Sequence, residues 1–347
     1  SLFMTTTIVP LLLAFSWAGT TYAWGSTQII GLLVASVVSG LIFVFVELKA
    51  KNPILPMHLF KNDVVTISNI IGFIMNFGMM GALIYLSFFV QGVLGISPTY
   101  AGYVTMPMSI VMVVASAITG QMIAKKGKYK QFALFGVPIM IAGMVIMIFM
   151  NSVPVAILSM IVFGLGLGVG MPVFSLATQN AVPHKELGVV TASTQLFRNL
   201  GGTIGIAVMG TVMSNNLTKN LKEALQSSSA PDMSQMDPQV VQQMTAFANP
   251  QTLMNKPLLE QTQASLPADA QPLFAQMIQG IRDALGTTLS TVFLTGTLVL
   301  VVALVLVFFL RELPLRSSNQ APTPQSVKEG GEEGAVQAAQ ASAPHQA

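Results

Sequence analysis

The sequence predicts an all-α protein, a polytopic helix bundle built in a lipid bilayer, and three observations predict it. Residues are 52% hydrophobic and only 8% charged, with a mean hydropathy of +0.68, which leaves too little polar surface to keep 347 residues wet. Apolar runs of roughly membrane-spanning length recur along the chain between short polar connectors. The lysines of those connectors alternate, one connector rich and the next bare, as they do when successive loops fall on opposite sides of a membrane. The formal net charge of +3 is spread over these connectors rather than gathered in one patch, so nucleic acid is not an implied partner.

The apolar runs fall at 3–18, 28–46, 64–92, 99–123, 131–150, 153–177, 188–213 and 286–310, about eight helices at about 20 residues each. The first is short, as a truncated helix would be. The chain opens on Ser1 and is apolar by Leu2, so it reads as the later part of a longer protein. Connectors holding Lys49, Lys51 and Lys61, then Lys125, Lys126, Lys128 and Lys130, then Lys185, alternate with uncharged ones around Gly25, Ile96 and Asn151. An excess of Lys and Arg marks the cytoplasmic side, which places these three connectors and the tail after Arg311 inside. The hydrophilic segment 215–284, broken by six prolines, is then extracellular, with helical spacing at 216–226 and 272–285 extending the flanking spans. Residues 312–347, rich in Gln, Ala, Pro and Glu, lack the apolar content to fold and are expected to form a disordered cytoplasmic tail.

Enzyme signatures are missing from this pattern. His58, His184 and His345 stand in separate segments without metal-ligand spacing, so neither a metal nor another cofactor is expected. Gly127-Lys128 is followed by Tyr129 and lacks the glycine spacing that cradles phosphate. There is no Cys, which removes disulfides and thiolate chemistry. Every Asp and Glu lies in a connector, at a membrane edge or in the tail, with Glu47 and Asp63 nearest the spans. A titrating acid for proton coupling is therefore expected outside this sequence.

One charge does lie deep. Counted from Lys185 and Glu186, Arg198 sits roughly 15–20 Å into the span 188–213, near the middle of a hydrocarbon layer about 30 Å thick. A guanidinium there costs at least about 2.5 kcal/mol against lipid, so it must face protein or a wet cavity. Thr191, Gln195, Arg198 and Gly202 share one side of the helix. Two readings stay open: Arg198 either hydrogen-bonds the carbonyl end of a neighbouring helix and only holds the bundle together, or belongs to a substrate pathway.

The run 64–92 carries a second stripe, with Asn69, Asn76, Met80, Ser87 and Gln91 at steps of four and seven. Such amides line a cavity or tie helices together at about 0.6 kcal/mol each. Gly164, Gly166, Gly168 and Gly170, ahead of Pro172, form two interleaved small-xxx-small pairs that admit close neighbours. The 22 methionines, many at 75–80, 106–112 and 139–150, suit either gap-filling or a pocket tolerant of varied apolar shapes. The substrate-binding candidates are Asn69, Asn76, Met80, Gln91, Gln195, Arg198 and Asn199.

Three passages resemble the major facilitator superfamily, and within it the fourteen-helix drug:proton antiporters. They are Trp24 with its short outer loop and the following span to Glu47; Pro53-Ile-Leu-Pro-Met-His-Leu-Phe60 leading through Gln91-Gly-Val-Leu-Gly-Ile-Ser-Pro98 to Ala101-Gly102 and Pro107; and residues 188–210. The family's cytoplasmic gating loop is only echoed at 120–130, where Ala124 stands at its acidic position and Lys125 at its arginine position. The resemblance implies two linking helices at 1–48, a cytoplasmic connector at 49–63 and a C-terminal six-helix transport domain at 64–311, with an N-terminal six-helix half missing. It further implies a monomer when complete, in a bacterial plasma membrane, exporting small lipophilic substrates by alternating access with the proton as coupling ion. Two other functions fit the residues: an exporter of one defined metabolite, lipid or siderophore, and a non-transporting membrane scaffold or sensor acting through 215–284.

Overall fold

The computed structural model of the chain describes residues 2–18, 22, 24–49, 56–226, 256–265 and 271–313. It is all helical, and no strand forms among the described residues. The long helices are α1 (Leu2–Trp17), α2 (Thr27–Lys49), α3 (Asp63–Phe88), α4 (Pro98–Lys126), α5 (Lys130–Ile148), α6 (Val153–Asn180) and α7 (Leu187–Gln226). A ten-residue helix, α8 (Lys256–Ser265), precedes the last, α9 (Gln271–Phe309). Seven of them are long and apolar enough to cross a membrane, and α1, of 16 residues, is apolar but shorter. Each apolar run read from the sequence is thus a helix.

Helix ends follow from local chemistry. Asn62 caps α3, its Oδ1 accepting from the Val64 N–H at 3.0 Å while its Nδ2 donates to the Ala181 carbonyl. Pro98, with no N–H to waste, opens α4. Gly127 closes it in the left-handed conformation at φ 68°, its N–H returning to the Ile123 carbonyl. The last turn of α3 widens into a π-helical turn at Phe89–Val93.

Close packing organises α3 to α9. α6 lies between α4 and α5, α3 lies along α7, and α9 touches α3, α5 and α7; α1 pairs with α2 and reaches α7. The glycines of α6 explain its central place. A Cβ on Gly164 would meet the Met108 carbonyl at 2.6 Å and one on Gly168 the Met112 carbonyl, both on α4, while one on Gly166 would strike the Met140 backbone of α5. Gly164 and Gly168 thus serve α4, whereas in the other pair Gly166 faces α5 and a Cβ on Gly170 would meet the Met75 side chain of α3. On α7, Gly201 and Gly205 lie against Phe73 and Phe77 of α3 in the same manner. Around them the buried side chains are apolar, including Met140, Met144, Phe163, Phe174 and Phe293, so most of the methionines of 139–150 fill the core. Outward, Val34, Val37, Leu41 and Phe45 of α2 and Leu298, Val302 and Val305 of α9 are exposed, an apolar surface that suits lipid and not water.

The Lys-bearing connectors converge at one end of the bundle. His58 Nε2 lies 3.2 Å from Glu186 Oε2, Arg311 lies 3.9 Å from Asp63, and Lys130 Nζ donates to the Phe308 carbonyl at 3.0 Å. Tyr129 donates its hydroxyl to the Arg311 carbonyl and accepts from the Leu313 N–H; burial raises its pKa from the ordinary 10.0, so this clamp stays neutral. Beyond the spans, α7 and α9 continue as unbroken helix through 216–226 and 272–285, as their spacing predicts, joined by Asn220 Nδ2 donating to Thr288 Oγ1 at 2.9 Å. The rest of the expected extracellular segment, 227–255 and 266–270, and the expected tail from 314 lie outside the described residues.

Candidate substrate cavity

A cavity of about 580 Å³ opens between α3, α4, α6 and α7. α3 contributes Asn76, Met79 and Met80; α4 contributes Met112, Val113 and Ser116; α6 contributes Gly168 and Met171; α7 contributes Gln195, Arg198 and Asn199. These residues meet because α7 carries its polar groups one turn apart and α3 lies flush against the glycine face beside them. The volume falls within the range of about 300–1,000 Å³ usual for small-molecule sites.

Arg198 is the only charged residue in this lining. Its Nη2 donates to the Met171 carbonyl at 3.1 Å and to Ser175 Oγ at 2.8 Å, both on α6. The carbonyl lies mid-helix, beside Pro172, and not at a helix end as the structural reading had it. The side chain thus ties α7 to α6 and also lines the cavity. No carboxylate pairs with it among the described residues, where Asp63, Glu186 and Glu223 pair with Arg311, His58 and Lys219.

Five of the seven sequence candidates come together here: Asn76, Met80, Gln195, Arg198 and Asn199. Asn76 donates Nδ2 to the backbone carbonyl of Arg198 at 2.5 Å, fixing α3 to α7 at the cavity, and Gln195 donates Nε2 to Asn199 Oδ1 at 3.1 Å. Asn69 and Gln91 lie outside the lining. Asn69 is buried one contact deeper in the α3–α7 interface, accepting from Thr194 Oγ1 at 2.9 Å, so it ties helices. Gln91 is carried off in the π-helical turn at the far end of α3. Sequence reasoning missed Ser175 as an anchor, although a hydroxyl three residues after Pro172 in an apolar span offers a buried donor an acceptor. It also singled out Met80 alone, whereas Met79, Met112 and Met171 line the cavity with it. Two of these three belong to the methionine clusters at 75–80 and 106–112.

A lipid-suited helical bundle with a cavity of this size and a half-buried cation in its wall suits a membrane transporter. The family model described as Major Facilitator Superfamily matches residues 1–206. The multidrug transporter protein MdtP of Bacillus subtilis is 37% identical over 338 residues, covering 93% of this chain and 59% of MdtP. A tetracycline resistance determinant of Streptomyces rimosus is 27% identical over 346 residues, covering 96% of each chain. Among solved structures, an inward-facing bacterial homologue of the human lysosomal transporter Spinster superposes with a TM-score of 0.51 at 12% identity, covering 86% of this chain and 64% of that one, a likeness of fold alone. The chain belongs to the major facilitator superfamily, whose members are transporters and not enzymes, and these relatives bear out the resemblance drawn from its motifs. It spans 59% of the length of MdtP.

Proposed function

We propose that this chain serves the export of small lipophilic compounds by a secondary-active, proton-driven antiporter of the plasma membrane, with the lysine-rich end of the bundle in the cytoplasm. One observation carries the reading: a cavity of about 580 Å³ whose apolar wall includes the methionines Met79, Met80, Met112 and Met171, beside Asn76, Ser116, Gln195, Arg198 and Asn199. Thioether side chains repack around different apolar shapes, which suits cargo of varied form. The likeness to MdtP, a multidrug transporter protein, and to the Streptomyces tetracycline resistance determinant supports it. α1 and α2, packed on each other and touching the remainder through α7, suit the role of a linking pair beside a six-helix domain at 64–311. Among the described residues no carboxylate lines the cavity, so the proton travels on a group outside this lining.

The test is a susceptibility and accumulation panel in a pump-deficient host producing the complete protein. Protection against several chemically unrelated lipophilic compounds, abolished by a protonophore, is expected. Protection confined to one compound class favours the exporter of a single cargo, and persistence of export after the proton gradient is collapsed rejects proton coupling. A scaffold acting through 215–284 instead loses function when that segment is deleted and keeps it when Arg198 is neutralised.

A further inference from the structure

The cavity is electrically one-sided. A guanidinium carries five N–H donors and no acceptor. Both hydrogen bonds of Arg198 leave from Nη2, and its Nε is buried without an acceptor. Nη1 has no acceptor among the described residues, in a side chain that lines the cavity. Next to it, the bond from Gln195 occupies Oδ1 of Asn199 and leaves the Asn199 Nδ2 as a further donor. The acceptors that remain on the lining amides, Oδ1 of Asn76 and Oε1 of Gln195, are neutral and do not balance a cation. A charge held in a low-dielectric wall without its counter-charge is costly, and a ligand that brings the counter-charge recovers that cost on binding.

Apart from the hydroxyl of Ser116, the rest of the wall is soft and apolar, with Met79, Met80, Met112 and Val113. We propose that this cavity prefers lipophilic molecules bearing one anionic oxygen group, such as a carboxylate, phenolate or enolate, with Nη1 of Arg198 and Nδ2 of Asn199 as its receptor. The proposal rests on the export reading above and narrows it from lipophilic compounds at large to those whose apolar body carries a single negative charge. An oxyanion accepts charge-assisted hydrogen bonds from Nη1 of Arg198 and Nδ2 of Asn199, bonds that a neutral ester accepts more weakly and an ammonium does not accept at all.

Calorimetric binding to the complete purified protein tests this with three matched probes: diphenylacetate, its methyl ester and diphenylethylamine. The carboxylate is expected to bind about 10-fold tighter than the ester, the worth of a charge-assisted hydrogen bond, and the amine more weakly than both. Arg198→Gln should collapse the ratio of carboxylate to ester to about one. Asn199→Asp, which puts a carboxylate beside the guanidinium, should invert the order in favour of the amine. Should Arg198→Gln fail to fold, the order of the three probes on the unaltered protein decides alone. Equal binding of carboxylate and ester, or preference for the amine, overturns the proposal and leaves the export reading standing. Binding of none of the three overturns the proposal and counts against the cavity as a substrate site altogether.

Discussion

Asn69 and Asn76 stand seven residues apart on one face of α3, yet only the second borders open space. Asn69 hydrogen-bonds Thr194, whose hydroxyl also lies 2.9 Å from the Val190 carbonyl, and its Nδ2 is buried without an acceptor. Replacing it forfeits one interhelical bond of about 0.6 kcal/mol and removes an unsatisfied donor as well. Asn69→Ala and Gln91→Ala should therefore leave ligand affinity unchanged. Asn76→Ala should weaken it about 10-fold, because its Nδ2 holds the Arg198 carbonyl and with it the station of the guanidinium. Calorimetry on the three variants with one ligand checks the division; a large loss for Asn69→Ala would return that residue to the site. Periodicity made the stripe legible, since it fixes which residues share a face. It does not say at what depth the facing helices part. Asn69, Asn76 and Met80 all face α7, and the cavity opens only where Gln195, Arg198 and Asn199 come opposite.

At the level of the helix, α6 was the most readable element, because glycines four apart have one physical use in a membrane: to let two backbones touch. What the spacing could not name was the partner of each glycine, which depends on α3, α4 and α5 all packing against α6. The π-helical turn at Phe89–Val93 left no mark in the sequence, since it changes hydrogen bonding and not hydropathy. The lengths of α7 and α9 were legible only in part, for an apolar run records the portion in lipid while the helix continues as far as its backbone and contacts allow. Paired substitutions measure the helix contact. Gly166→Ala drives a methyl into the Met140 backbone, where no side chain can yield, and should cost about 1–3 kcal/mol or more. Gly120→Ala on α4 meets nothing within 4 Å and should be neutral or stabilising by about 0.4–1 kcal/mol. Thermal unfolding in detergent reads both, and equal loss at the two positions would mean that α6 is not held by backbone contact.

At the scale of the molecule, the sequence carried the alternation of charged and bare connectors, and the fold carries a consequence it had no means of stating: residues 56–62, 127–130, 181–186 and 310–313 touch one another at a single end. Four segments distant in sequence, each bearing a Lys or Arg, meet there because α3 to α7 and α9 each traverse the bundle once. Lysine-rich ends stay on the cytoplasmic side during insertion, so this shared end is predicted to face inward. α4 offers the cleanest test. Its 29 residues reach about 44 Å at 1.5 Å each, enough to cross a hydrocarbon layer of about 30 Å, with Ser97 at its cap and Lys126 on its last turn. The chain has no Cys, so a single introduced thiol is labelled without background. In intact cells a membrane-impermeant maleimide should label Ser97→Cys and spare Lys126→Cys until the membrane is opened. The reverse pattern would invert the bundle and carry Arg198 with it, and labelling of both from outside would mean that α4 does not span. Either result would overturn the assignment of the lysine-rich end to the cytoplasm, because α4 joins that end directly to the opposite one.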